Sequence, residues 1–204
     1  MKIHNLTQGS PEWMAYRARH FNASDAPAMM GCSPYKTRGE LLRAMHTGLT
    51  AEVDANTQRL FDDGHRFEAM ARPLAEQIVG DELYPVVGSD GRYSASFDGL
   101  TLGQDIAFEH KSLNDELRAV MTGGADGWKL PLHYRVQMEQ QCMVSGAERV
   151  LFMASRWASD CLELIEERHC WYYPDSMLRQ QIVDGWSQFE RDLAVYAPPP
   201  LVEK

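Results

Sequence analysis

Two carboxylates and a lysine stand close together in S-F-D-G-L-T-L-G-Q-D-I-A-F-E-H-K, residues 96–111. The stretch reads as two short strands about a tight turn, with Gly103-Gln104 at its centre. A two-residue hairpin loop with glycine first is what a type II′ turn asks for. That turn places Asp98 opposite Glu109, with Cβ atoms about 5 Å apart. Period-two alternation carries Glu109 and Lys111 to one face and Ile106, Phe108 and His110 to the other. Facing carboxylates repel, and a proton, a cationic neighbour or a divalent metal relieves them. Mg²⁺ prefers carboxylate, carbonyl and water oxygens. An acidic pair bridged by Mg²⁺, beside a lysine that orients a water, is suited to phosphodiester hydrolysis. The same residues would also suit a solvated hairpin face with a Glu109–Lys111 ion pair of almost no energetic weight, and spacing alone leaves both readings open.

Several elements could position this chemistry. Near the N-terminus Ser10 and Pro11 mark a helix start, which sets Trp13 beside Tyr16 or Arg17. Ser24 would cap a second helix with Asp25 near its positive end. A serine hydroxyl and an arginine at such an N-terminus suit a phosphate. A helix is expected from Glu40 to Met45. Residues 64–79 form another, with Phe67, Ala71, Leu74 and Ile78 as its apolar stripe and Glu68 at the stripe's edge. Glu68 and Arg72 fit an i, i+4 pair, and Pro73 should kink or break the helix. Strands are expected at 83–87 and 93–97 around a turn at 88–91, then a glycine-rich loop at 121–128. A helix from about 131 to 144 aligns His133 or Tyr134 with Gln137, Met138 and Gln141 on one side, and Gln140 competes with Gln137 and Gln141 for any role. Strands at 149–157 and 162–168 follow, the second with a sequence that also fits a helix. Leu178, Ile182, Trp186, Phe189 and Leu193 keep helical spacing, so a final amphipathic helix should pack on the sheet or on a neighbouring subunit.

Asp98 followed by Glu109-His110-Lys111 resembles the PD-(D/E)xK nuclease signature. The preceding S-x-x-D-G-L resembles its form in the lambda exonuclease and YqaJ-type viral recombinase family. Arg17…Ala23-Ser24, followed by Gly31-Cys-Ser-Pro-Tyr-Lys-Thr37, is similar to the N-terminal block of that family. The resemblance implies an α/β fold, a restriction-endonuclease-like PD-(D/E)xK core with a mixed central β-sheet flanked by helices. It implies that Asp98 and Glu109, with the His110 backbone carbonyl, hold Mg²⁺, two ions per site with Mn²⁺ as a substitute. Glu68, in the family's G-x-x-x-E, would support the metal directly or through water. Lys111 would orient the attacking water, and Gln137 would stand at the family's post-catalytic glutamine. Arg17 and Ser24 would contact the terminal 5′-phosphate, and Lys36 and Arg38 would track the backbone. His110 departs from the family pattern, which commonly has an apolar residue there.

The implied activity is 5′ to 3′ digestion of one strand of linear double-stranded DNA to 5′-mononucleotides, leaving 3′ overhangs for phage-type recombination. The implied partners are double-stranded DNA ends, two further copies in a ring-shaped homotrimer, and a single-strand annealing recombinase. An endonuclease or nickase of the same superfamily and a catalytically silent DNA-end binder are the alternatives.

The bulk properties fit a soluble cytoplasmic protein, and the resemblance implies a bacterial host cell and a phage or prophage gene. Hydrophobic residues make up 44% and charged residues 24% of the 204, ordinary for a globular chain. No run is long enough to span a membrane. Residues 1–196 are expected to form a single nuclease domain, and 197–204, rich in proline, a short extended tail. Cys32, Cys142, Cys161 and Cys170 show neither a C-x-x-C pair nor zinc-ligand spacing, so reduced thiols are expected. The net charge of −9 argues against a protein that simply coats DNA. Yet residues 16–43 hold five basic side chains against two acidic, while 160–204 hold four basic against nine acidic. A local basic footprint survives within an acidic whole.

Overall fold

The computed structural model describes residues 1–7, 9–48, 55–122, 126–158 and 163–198, with side chains of 55–62 left aside. Seven strands, β1 (Lys2–His4), β2 (Phe21–Asn22), β3 (Tyr84–Asp90), β4 (Tyr93–Leu100), β5 (Ile106–Ser112), β6 (Arg149–Trp157) and β7 (Leu164–Tyr172), form one mixed sheet. Its order is β1-β3-β4-β5-β6-β7, with β2 attached in parallel to β4. Only β5 and β6 run parallel along the main path. A parallel neighbour requires a crossover, and α5 (Asp115–Val120) and α6 (Leu132–Ser145) provide it.

Each face of the sheet has its own core. On one, Ala107, Val150, Phe152 and Ala154 pack against Tyr134, Met138 and Cys142 of α6. On the other, Phe108, Leu151 and Met153 pack against Ala71 and Ala75 of α4 (Ala55–Val79). The helix is 25 residues long and carries Pro73 inside it, so the break expected there does not occur. A third cluster lies behind α6. There Leu178, Ile182, Trp186 and Phe189 of α7 (Ser176–Ala194) meet Val136 of α6 and residues of α2 (Ala26–Met29) and α3 (Arg38–Thr47). The last helix packs on other helices and also on the sheet, as the sequence suggested, since Trp186 stacks on Phe21 of β2 at 4.4 Å.

Other expectations are refined by the structure. Residues 164–172 form a strand, not a helix, because they pair with β6 along its length. The β3–β4 turn falls at Gly91-Arg92, with Gly88 inside β3. Ser24 does not cap α2. Asp25 occupies the cap position without a side-chain cap bond, and four residues are too short for the helix-end phosphate site expected there. Ser10 does cap α1 (Pro11–Arg17), accepting from the Trp13 N–H. Cys32, Cys142 and Cys170 are free thiols. Cys161, the centre of the glycine-rich loop at 123–125 and the tail from 199 lie outside the described residues. Among the described residues no helix is long and apolar enough to cross a membrane.

Candidate active site

The hairpin holds the expected register with a different turn. Gly99 pairs with Phe108 and Leu100 with Ala107. The loop runs over residues 101–105, closed by Thr101 N–H to Ile106 C=O at 3.0 Å and Gln104 N–H to Thr101 C=O at 2.9 Å. Gln104, not Gly103, takes the left-handed conformation, at φ 61°. The observed pairs keep the expected sum of 207, so the strands meet in the same register although the loop is longer.

Asp98 is where the expected geometry fails. Tyr84 pairs with Leu100 but Val86 with Phe97, so Asp98 and Gly99 together oppose Pro85. Proline has no N–H to give a ladder, and a bulge forms opposite it. Gly99 is required there, since a Cβ would lie 2.8 Å from the Leu83 Cβ and 3.3 Å from that of Phe108. Asp98 consequently does not sit as a simple cross-strand partner of Glu109. Its carboxylate accepts from the His110 backbone N–H at 2.8 Å, and its carbonyl accepts from Arg72 Nε at 2.8 Å. The other branch of the Arg72 fork donates to Glu68 at 2.8 Å. The i, i+4 pair read from the sequence is thus half of a bridge between helix α4 and the bulge.

Glu109 is 2% exposed and faces α6. Lys111 Nζ and Gln137 Nε2 both donate to its Oε1, the glutamine at 2.7 Å. Gln141 Nε2 donates to its Oε2 at 2.6 Å. Of the three competing glutamines, Gln137 and Gln141 therefore reach the acidic residue. Gln140 points away, bonding the Phe21 carbonyl and receiving the Trp186 indole N–H, both at 2.7 Å. His110 turns its ring to the opposite face, 2.7 Å from Ser155 Oγ.

The electrostatics follow from this crowding. Burial, then the charges of Glu109 and Glu68, push the Asp98 carboxyl well above the usual carboxylate range. Burial also raises Glu68, with Arg72 opposing and Glu109 adding to the shift. Burial works against the Lys111 charge, but Glu109 and Asp98 outweigh it and hold the ammonium protonated. Burial, helped by Lys111, pushes the His110 ring down to about 3, so it is neutral.

A hard cation suits this donor set. The carboxylates of Asp98, Glu109 and Glu68 act electrostatically on one another, and an oxygen-ligated cation relieves such repulsion. Among the described residues no three His, Cys, Asp or Glu side chains gather into a ready-made metal cage.

The N-terminal residues form a second cluster. Arg17 donates to Ser24 Oγ and to Asp25, each at 3.0 Å, and Lys36 Nζ lies 3.4 Å from the other Asp25 oxygen. Asn22 also donates to Asp25, at 3.1 Å. Asp25 is the hub that aligns the cations, a role its sequence position did not reveal. Arg38 is not part of the cluster. It pairs with Asp192 and lies over the Phe189 ring, tying α3 to α7.

The fold is similar to that of an alkaline exonuclease, LHK-Exo, from Laribacter hongkongensis, with a TM-score of 0.67 at 22% identity over 91% of this chain and 93% of that one. The LHK-Exo complex with dAMP gives 0.68 at 21% identity, with the same coverage. A phage-related exonuclease from Haemophilus somnus 129PT gives 0.60 at 11%, covering 88% of this chain and 96% of that one. No curated protein matches the chain. The YqaJ-like viral recombinase domain matches residues 12–148, a span that takes in the N-terminal cluster, the hairpin and both glutamines. With more than half its length so matched, the chain belongs to the YqaJ-like viral recombinase domain family.

Proposed function

We propose that this protein is a metal-dependent exodeoxyribonuclease that digests one strand of linear duplex DNA from its 5′ end, releasing 5′-mononucleotides and leaving a 3′ overhang. The observation that carries the reading is the convergence of Lys111, Gln137 and Gln141 on Glu109, beside an Asp98 whose charge is strongly disfavoured as it stands.

Asp98, Glu109 and the His110 carbonyl would hold Mg²⁺, with Glu68 in support directly or through water and Mn²⁺ as a substitute. Bound there, one or two such ions would acidify a water and offset charge on the scissile phosphate. Lys111 remains protonated, so its role is to orient the water and balance charge on the phosphate, not to remove a proton. Gln137, whose amide reaches Glu109, would fix the water or a phosphate oxygen. Arg17 and Ser24 would grip the 5′-phosphate, the arginine by its fork and the serine by a single bond, with Lys36 beside them. Arg38, paired with Asp192, would track the DNA backbone from outside this cluster. The working assembly would be a homotrimer on a duplex end, delivering the overhang to a single-strand annealing protein.

Digestion of linear duplexes with and without a 5′-phosphate tests the reading, run in Mg²⁺ and in EDTA beside Lys111→Ala and a closed circle. Mononucleotides from phosphorylated linear ends alone, abolished by EDTA and by Lys111→Ala, are expected. Equal cutting of the circle would instead make the protein an endonuclease, and intact DNA throughout would make it a silent end binder.

A further inference from the structure

Between the basic cluster and the catalytic lysine stands an aromatic ledge. Tyr35 directly precedes Lys36 of that cluster, and its side chain is 80% exposed. The loop beneath it is pinned, since the N–H groups of Tyr35 and Lys36 both donate to Ser33 Oγ at 3.2 Å. The Tyr35 ring stands edge-on to His133, at 6.4 Å and 90°. His133 lies 4.0 Å from the ring of Tyr134, which is 6% exposed. Tyr134 in turn feels the charge of Lys111. The His133 Nε2 is buried and has no hydrogen-bond partner among the described residues.

We propose that Tyr35, braced edge-on by His133, forms a stacking subsite for a nucleobase of the DNA end. The subsite rests on the DNA-processing reading above. An ammonium group at each end, Lys36 and Lys111, suits the phosphates on either side of a nucleotide, and an exposed aromatic ring between them suits the base. Stacking is tolerant of sequence because every base has a π-face. The subsite would therefore position any terminal nucleotide without selecting among them. Tyr35 acts here as a positioning residue.

The test uses the full chain in EDTA, where binding is read without cleavage. Probes are a duplex with 2-aminopurine at the 5′-terminal or adjacent position and the same duplexes abasic there. Wild type and Tyr35→Phe should quench the fluorophore at one of these positions and bind its base-bearing end about tenfold more tightly than the abasic one. Tyr35→Ala should quench less and bind both ends alike, with thermal stability unchanged because the ring is exposed. Tyr35→Ala that keeps the full quench and the tenfold ratio would overturn the subsite. If the Tyr35-dependent ratio appears but DNA is never cut in Mg²⁺, the subsite stands and the nuclease reading fails. If no DNA end is bound, both fail.

Discussion

The backbone N–H of His110 donates its hydrogen bond to the side chain of Asp98, at 2.8 Å, where a sheet would ordinarily supply a main-chain carbonyl. The carboxylate thus serves as a ladder acceptor as well as a candidate ligand. Asp98→Asn can keep the acceptor through its amide oxygen, while Asp98→Ala cannot. Asp98→Ala should cost about 1–3 kcal/mol of stability for the orphaned donor, and Asp98→Asn much less. Both should abolish Mn²⁺ binding. Denaturant melts and calorimetric titration of the two variants separate the roles.

Metal affinity should rise with pH beyond the range of an ordinary carboxylate. The Asp98 carboxyl is raised by burial and by its acidic neighbours, so a cation must displace its proton at pH values where an exposed aspartate is already ionised. In the metal-free protein the sign for stability is the reverse. The folded state holds that proton more tightly than the unfolded chain, so stability falls as pH climbs from about 3.9 through the raised value. Melting curves with and without Mg²⁺ should diverge across that window. Curves that stay parallel would refute the coupling.

His110 acts in the opposite sense. Its folded value lies at about 3, so between that and the ordinary value near 6.5 the unfolded chain binds a proton that the folded one refuses. Stability should fall as pH drops through this interval, by up to about 1.4 kcal/mol per pH unit from this group alone. His110→Gln should flatten the acid limb of the stability curve, as measured by denaturant midpoints at successive pH values.

Arg72 holds both Glu68 and the Asp98 carbonyl with one guanidinium. A lysine keeps the charge and loses the fork. Arg72→Lys should weaken Mn²⁺ binding by about 10–100-fold, the range for groups that orient metal ligands. Affinity within twofold of wild type in the same titration would show that the bridge is dispensable.

The two glutamines on Glu109 should separate in their effects. Gln141 is fully buried and also donates to the Ser96 carbonyl at 3.3 Å, so Gln141→Ala should lower stability by about 1–3 kcal/mol as well as activity. Gln137 is less enclosed, and Gln137→Ala should lower kcat about 100-fold with little loss of stability. Paired measurements of kcat and melting temperature decide between this outcome and a common structural role.

The hairpin, its register and the partition of Glu109 from His110 were legible in the sequence because strand alternation is local. The α7 helix was legible for the same reason, through its apolar spacing, and α6 through the alignment of Tyr134, Gln137, Met138 and Gln141 on one side. The bulge was not. It depends on Pro85 meeting Asp98 and Gly99 across a strand pair, and Pro85 gave no hint of its partner. Gln137, Gln140 and Gln141 could not be told apart because all three point toward buried surroundings, and only the position of α7 decides which of them it claims. Asp25 read as a helix-end acid, whereas its three partners come from separate turns of chain. Strands β1 and β2, three and two residues long, were too short to announce themselves.

Gln140 gives the far side of the protein a hold on the near side. Its amide joins Trp186 of α7 to the Phe21 carbonyl, and it shares one helix with Gln137 and Gln141. A helix is stiff over three residues, so whatever fixes the rotation of α6 at Gln140 also fixes the aim of its neighbours. The C-terminal helix is in this sense a remote adjustment screw. A lesion there would present as poor catalysis in an otherwise intact active site.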